Sequence, residues 1–560
     1  MTGGGRTDRR RHDVRSYPIR KRPPGTAESK EKMNMMKTEI HVDATRTKGK
    51  LEPFWASQIV HPTEFLLTEW GRDFLGLLKE AGAARQKIRM YNQPEEAIRV
   101  SADGTISYDW SRFDEMADLV VAKGLKPHVR FFGMPAELAA FPDQVRVRAY
   151  GSTVSKSRPR DYRQWEELCA DFTRHVIGKY GLDEVRQWTF GCWNEPDGRG
   201  FWYTEHSDQT LHLKEYLKLY DHFAYGVKKV DPELKVGGPA ITNSGTLKKP
   251  ENFRMIMEHF ANGVNFATGE TGSPLDFIEA HVYGTTMNFA RAEDDFIRHA
   301  PSVDYMADMF NLYAGIRDQF PQFAGIPIHV TEWGLAGSGD VGVKDKPQLE
   351  LRNSEYGAAF LVALVEKIIA MNEKNKWQLG SLIFCTSGYQ KLRAGDFLGQ
   401  RTLHTINGFH KPILNGYKLL ARLASELVTV EVSPAGENIS AFASRDPDKI
   451  TIAIINFQND KVFNEGEAIS ITLNIATQWS SDTKVRMNHW RIDRDHSNAY
   501  TAYREAGSPE LLNPFEIDVI KKRMNLELLE PEKQATAGEL ARIEFELPCN
   551  GVSLIEIAKA

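Results

Sequence analysis

Trp188-Thr189-Phe190-Gly191-Cys192-Trp193-Asn194-Glu195-Pro196-Asp197 is an apolar, β-prone run that ends abruptly in Asn-Glu-Pro. Pro196 can donate no ladder hydrogen bond and restricts the residue before it. A strand here is therefore expected to stop at Glu195 and leave that carboxylate at its carboxyl end. Taken alone, a Glu-Pro pair would mark only the start of a loop. The reading changes because Ile326-Pro327-Ile328-His329-Val330-Thr331-Glu332-Trp333-Gly334 repeats the pattern, an apolar strand carried into a terminal glutamate. In a parallel α/β barrel, the carboxyl ends of the strands are where chemistry sits.

Working outward from these two runs, apolar strand candidates fall at Pro53 to Gln58, Lys87 to Tyr91, Pro127 to Phe132, Val185 to Trp193, Lys235 to Pro239, Asp276 to Tyr283, Ile326 to Thr331 and Gly380 to Cys385. Between them lie stretches with apolar residues at helical spacings of three and four, clearest at Phe113 to Lys123, Tyr162 to Tyr180, Leu211 to Val230 and Asn353 to Asn372. Eight strands alternating with helices predict a (β/α)8 TIM barrel over residues 48–425. Glu195 then ends the fourth strand and Glu332 the seventh, so both carboxylates face one mouth.

Beyond about Val428 the pattern shortens to alternating strands: Ser440 to Ala443, Ile450 to Ile455, Ile469 to Leu473, Ile543 to Leu547 and Val552 to Ile557. They predict an accessory antiparallel β-sandwich over residues 426–560. Thr38 to Ala44 alternates with Ile40, Val42 and Ala44 on one face. It has no place in the barrel, so the segment 37–47 is expected to complete the sandwich as an edge strand.

Bulk composition narrows the function classes. The 560 residues are 41% hydrophobic and 26% charged with a net charge of -4, as in a globular protein without an electrostatic demand for nucleic acid or a membrane surface. Cys169, Cys192, Cys385 and Cys549 lie far apart without a Cys-x-x-Cys spacing, which argues against a metal knuckle or disulfide framework and fits a reducing compartment. No apolar run reaches the roughly 18 to 20 residues of a membrane span. Residues 1–36 are Arg-rich and aperiodic, as in Arg9-Arg10-Arg11 and Arg20-Lys21-Arg22-Pro23-Pro24, and read as a disordered basic tail. The alternatives are an arm for an acidic polymer, or a start of translation at Met33, Met35 or Met36. The tail has no apolar core of a secretory signal, so a cytoplasmic location is expected.

Two carboxyl groups flanking one scissile bond are what glycoside hydrolysis requires, one as general acid and the other to attack or stabilise the anomeric carbon. Neighbouring carboxylates push their pKa values apart, so one can hold a proton while the other stays ionised. The run Trp188 to Asp197, with Tyr180-Gly181 upstream and Phe201-Trp202 downstream, resembles the acid/base motif of glycoside hydrolase family 39, the family of β-xylosidases and α-L-iduronidases. Thr331-Glu332-Trp333 resembles its nucleophile motif. Similar matches run from Lys126-Pro127 and Met134-Pro135 through Val236-Gly237-Gly238-Pro239-Ala240 and Asp276-Phe277-Ile278. Further ones are Lys411-Pro412 and the stretch from Arg491-Ile492-Asp493 to Tyr500, so the resemblance covers roughly Lys50 to Ile557.

The resemblance implies a retaining exo-glycosidase acting by double displacement on a pentoside such as a β-xyloside or arabinoside. A uronide or deoxyhexose hydrolase is the alternative within the family, and a catalytically silent carbohydrate-binding protein the alternative outside enzymes. Glu195 would be the acid/base and Glu332 the nucleophile. Asn194 would bind the hydroxyl beside the anomeric carbon, His281 and Tyr283 would reach the nucleophile, and Arg89 would orient it. The partner is an oligosaccharide or glycoside. No cofactor and no metal are expected, and a homo-oligomer is plausible by family analogy. Trp193, Trp202 and Trp333 could stack on a sugar or pack the core. The chain also departs from the family. It has Arg89-Met90-Tyr91 where Arg-x-His is usual, and Leu382-Ile383-Phe384-Cys385-Thr386-Ser387 where the eighth strand usually carries a tryptophan. Arg130 and Glu279 stand in place of an acidic and a small residue. Tyr91, Glu279 and Ile383 are thus expected to determine the sugar, with Glu279 balancing Arg89 or Arg130.

Overall fold

A computed structural model of the chain describes residues 37–60, 63–82, 87–147, 153–285, 300–337, 342–344, 346–387, 395–434, 436, 438–460 and 466–560. The basic stretch 1–36 lies outside them. Eight parallel strands close a barrel: Ser57–Val60, Lys87–Tyr91, Lys126–Phe131, Thr189–Cys192, Lys235–Thr242, Phe277–Tyr283, Ile328–Gly334 and Leu379–Thr386, each bonded to its neighbour in sequence order. The first strand begins four residues later than its apolar pattern suggests. The fourth is cut short at both ends, because Leu182–Val185 forms a helical turn and Trp193 turns left-handed at φ 62°. The four clearest helices form at Ser111–Val121, Tyr162–Tyr180, Gln209–Lys228 and Glu355–Met371. Two of them start on an aspartate, Asp161 and Asp208, whose carboxylate accepts a backbone N–H of the first turn.

The accessory unit is a ten-stranded sheet in which Lys37–Lys50 is an interior strand, a correction to its expected place at the edge. It pairs antiparallel with Glu426–Ser433 on one side and parallel with Ile469–Ala476 on the other, Ile40 lying opposite Val432 and Leu473. It runs through Lys50, three residues past the expected boundary at 47, because Lys50 still pairs with Glu426. Ile40, Val42, Ile452, Leu473, Leu547 and Ile557 fill one apolar cluster, so strands from distant parts of the sheet close over a shared core in sandwich fashion.

The helix Glu355–Met371 joins the two units. Its residues Tyr356 through Val365 are buried without interruption, which a helix with one solvent face cannot accommodate. On its barrel side Phe360 stacks on Trp333 with ring centroids 6.4 Å apart. On the other, Phe360 and Tyr356 meet Phe457 edge-on at 5.7 and 5.2 Å. Phe442, Ala453, Ile455 and Leu554 of the sheet accordingly belong to the barrel's hydrophobic core.

Candidate active site

Period-two alternation along a barrel strand sends every second side chain into the lumen. On the sixth strand these are Glu279, His281 and Tyr283, rising toward the mouth, and on the second they are Arg89 and Tyr91. His281 lies in register with Glu332 on the seventh strand. Glu195 reaches the same place from the loop after the fourth strand. Trp193 and Glu195 both adopt left-handed backbone, at φ 62° and 45°, which is costly for side chains of this size and is characteristic of functional sites. Two bonds hold the turn. Trp193 N–H donates to Phe131 O at 2.8 Å, and Glu195 N–H donates to Ala240 O at 3.1 Å, where a register shift in the fifth strand turns that carbonyl toward the loop.

The side chains converge on one point. His281 Nδ1 lies 2.9 Å from Glu195 Oε1 and 3.5 Å from Glu332 Oε2. One atom from each of the three residues falls within 4.8 Å of the other two. Arg89 ties the remaining groups together: Nη1 donates to Glu332 Oε1 at 2.7 Å and to Thr331 O at 3.0 Å, and Nη2 donates to Asn194 Oδ1 at 2.5 Å. That last bond consumes the amide oxygen of Asn194 and leaves its nitrogen as the group able to donate. Tyr283 donates its hydroxyl to Glu332 Oε2 at 2.7 Å.

Electrostatics separate the two carboxylates. Burial alone would raise the Glu332 carboxyl, but the His281, Arg89 and Arg401 charges and the Tyr283 hydroxyl hold it well below the usual carboxylate range. Burial pushes the Tyr283 phenol well above its ordinary value, so it remains a proton donor. Glu195 is the more open group, its side chain 18% exposed against 10% for Glu332. Two carboxylates and an imidazole could also ligate a cation. Here, however, Arg89 and Arg401 already neutralise Glu332, and a dication would have to enter against both guanidinium groups.

Of the expected site residues, Glu195, Glu332, Asn194, His281, Tyr283 and Arg89 come together, and Tyr91 lies beside them with its ring 5.7 Å from the Arg89 guanidinium. Glu279, Trp333 and Ile383 do not join them. Glu279 sits one layer below His281, with Oε2 2.5 Å from Arg130 Nη1 and Oε1 2.8 Å from His128 Nε2. Both carboxylate oxygens are occupied, and Arg130 rather than Arg89 is the balancing charge. Trp333 follows Glu332 on the strand and so points the opposite way, out of the barrel against Phe360 and Phe384. Trp193 and Trp202 also pack inside, 5.0 Å apart and fully buried. Ile383 faces inward but is enclosed with Ile59, Cys385 and Tyr283, and shapes the site only through that phenol.

One participant escapes sequence reasoning. Arg401 donates from Nη1 to the Tyr283 hydroxyl at 2.5 Å and from Nε to Ser387 Oγ at 3.0 Å, completing a chain from Arg401 through Tyr283 to Glu332. It lies beyond the eighth strand in a stretch without periodicity, and nothing local marks it.

Known proteins are similar to this chain in sequence and fold. The model of the family "Glycosyl hydrolases family 39" matches residues 38–538. A β-xylosidase of Caldicellulosiruptor saccharolyticus is 26% identical over 503 residues, 89% of this chain and 93% of that protein. An α-L-iduronidase of Mus musculus is 25% identical over 531 residues, 84% of this chain and 73% of its own. Among solved structures, a monomeric β-xylosidase from Caulobacter crescentus CB15 shares the fold with a TM-score of 0.74 at 22% identity, over 93% of this chain and 99% of that one. The chain therefore belongs to glycoside hydrolase family 39 and is a glycoside hydrolase.

Proposed function

We propose that the enzyme is a retaining exo-glycosidase that cleaves a pentoside such as a β-xyloside or arabinoside by double displacement, with Glu332 as nucleophile and Glu195 as general acid/base. The observation that carries this reading is the approach of one oxygen of each carboxylate to within 4.8 Å. Retaining enzymes hold their carboxyl groups about 5 to 5.5 Å apart, whereas inverting enzymes need roughly 6.5 to 9.5 Å to admit a water. Glu332, held ionised by its neighbours, attacks the anomeric carbon while Glu195 protonates the departing oxygen. Glu195 then takes a proton from the water that releases the sugar. Asn194 donates to the hydroxyl beside the anomeric carbon, and Arg89 fixes both that amide and the nucleophile.

A second reading, a uronide hydrolase, is favoured by the 25% identity to the α-L-iduronidase of Mus musculus over 84% of this chain. The test is a panel of nitrophenyl β-xyloside, α-arabinoside and α-iduronide, followed by proton magnetic resonance. The first-formed sugar is expected to keep the anomeric configuration of the substrate. An inverted product would overturn the mechanism, and exclusive turnover of the iduronide would select the second reading. The buried thiols Cys169, Cys192 and Cys385, which lie outside any disulfide, support a reducing, cytoplasmic setting for this activity.

Tyr283→Phe removes the hydrogen bond to Glu332 together with the link that carries Arg401 to it. A hydrogen bond to a charged group is worth about 1.5 to 3 kcal/mol, so kcat/KM is expected to fall by roughly 10- to 100-fold. The packing of the ring against Ile59 and Ile383 is retained, but Arg401 Nη1 loses its acceptor, so Tm should fall as well, by the cost of one unsatisfied buried donor of about 1 to 3 kcal/mol. Unchanged kinetics would show that the phenol contributes nothing to the charge state of Glu332.

A further inference from the structure

The loop that delivers Glu195 carries a second carboxylate two residues further on. Asp197 is anchored at the end of the fifth strand, where its Oδ2 accepts the Thr242 hydroxyl at 2.5 Å and its Oδ1 accepts the Thr242 N–H at 3.2 Å. Gly245 N–H donates to Thr242 Oγ1 at 3.0 Å, which leaves that hydroxyl its own hydrogen to give to Asp197. The fit is close, since a Cβ on Gly245 would collide with Asp197 Oδ2. The same loop is fixed from the helix Gln209–Lys228, whose Gln209 Nε2 donates to Asp197 O at 3.2 Å and whose His212 Nε2 lies 3.1 Å from Pro196 O.

These bonds account for the shape of Asp197 but not for its charge. The Thr242 N–H also lies 3.4 Å from Oδ2, so the single amide oxygen of an asparagine would accept both hydrogens and hold the loop as well. Among the described residues no cation pairs with the carboxylate, and the charge felt there is that of Glu195. Burial pushes the Asp197 carboxyl up to about 6; the Thr242 hydroxyl opposes that rise and the Glu195 charge adds to it. Above that value two like charges would share one loop, and each opposes the other. The other titratable groups facing the loop are neutral there. Tyr313, on the helix Val303–Arg317, is kept protonated by burial, and burial pushes His212 down to about 4. Arg199 is exposed and spends its donors on the His206 and Ser207 carbonyls, and His281 approaches Glu195 itself. We propose that Asp197 is a positioning residue of the reaction, its unpaired charge keeping the proton on Glu195 until the leaving oxygen takes it. This rests on the reading of Glu195 as acid/base.

The test follows kcat/KM against pH for the wild type and Asp197→Asn, on the methyl and dinitrophenyl glycosides of the sugar that the substrate panel selects. Near pH 5, where Asp197 itself carries a proton, the two enzymes should agree within about twofold on either substrate. Toward pH 7 only the wild type keeps the charge. The methyl glycoside should then be cleaved roughly 3- to 10-fold less efficiently by the variant, its alkaline limb moved by about half to one unit toward lower pH. The dinitrophenyl glycoside, whose aglycone departs without a proton, should be unaffected across the range. An aspartate that only held the loop would, on replacement, lower both substrates alike at every pH. That result, or an unmoved limb, would overturn the proposal. Should Asp197→Asn not fold, Asp197→Ser carries the same comparison. Glu195→Ala is run alongside. Equal losses on the two glycosides in that variant would remove the acid/base and this proposal with it, whereas a loss confined to the methyl glycoside leaves the acid/base standing and lets the limb of Asp197→Asn decide.

Discussion

Glu332→Ala is expected to lower kcat by roughly 10⁴-fold or more on every substrate, because Glu332 is the nucleophile of the proposed mechanism and without it no glycosyl-enzyme intermediate can form. Glu195→Ala should behave differently. General-acid assistance typically contributes about 10²- to 10⁴-fold, and it matters less as the leaving group becomes more acidic. The loss should thus be large for an alkyl or unsubstituted xylobiose-type aglycone and small for a dinitrophenyl one. Exogenous azide sharpens the distinction. In Glu195→Ala, azide can take the place of water in the second step and should give a glycosyl azide of retained configuration. In Glu332→Ala, it can occupy the vacated space and attack directly, giving the opposite anomer. His281, 2.9 Å from one carboxylate and 3.5 Å from the other, belongs to both steps, so His281→Ala should depress activity toward good and poor leaving groups alike. Equal leaving-group dependence in the two glutamate variants, or azide products of one configuration from both, would remove the assignment of roles.

The two glutamates were legible because each closes an apolar run, and a strand's end is where a barrel exposes its lumen. Their surroundings were less so, for reasons visible at single residues. Trp333 is adjacent in sequence to a site residue but faces the helices, since alternation along a strand sends neighbours to opposite sides. Glu279 shares a face with His281 but sits one layer deeper, and depth in a barrel is set by stagger between strands rather than by local pattern. The strand stop expected at Glu195 comes earlier, at Cys192, because the turn uses left-handed Trp193 and Glu195, a conformation no local propensity favours. Lys37–Lys50 showed its alternating face plainly, yet an alternating strand says nothing about how many neighbours it has. The sandwich strand Lys484–Ile492, KVRMNHWRI, is hidden in the sequence because its buried face continues from Val485 and Met487 into the polar His489 and Arg491. Arg401 could be found only in three dimensions.

The Arg130–Glu279 pair should govern stability and activity separately. Glu279→Gln leaves the fully buried Arg130 guanidinium without a counter-charge, and breaking a buried pair in this way costs about 3 to 5 kcal/mol. In the wild type, burial raises the Glu279 carboxyl but Arg130 and His128 outweigh it and hold the pKa down to about 2, so the pair remains ionised throughout the range in which the protein would be used. Gly191 on the fourth strand makes the arrangement possible, since a Cβ there would lie 2.5 Å from Glu279 Oε1 across the lumen. Removing both charges together, as Arg130→Met with Glu279→Gln, should cost less than the sum of the single changes, because neither partner is left alone in the interior. Activity should not follow. Arg130 also donates from Nη1 to Trp193 O at 2.6 Å and from Nη2 to Thr331 Oγ1 at 3.3 Å. It thereby braces the residues beside both Glu195 and Glu332 from a single point on the third strand. The double variant keeps its fold but loses those braces, so its midpoint in urea should recover toward wild type while kcat stays low. Additive losses of stability would show that the two charges do not act as a pair. A double variant with wild-type kcat would show that the braces are unnecessary.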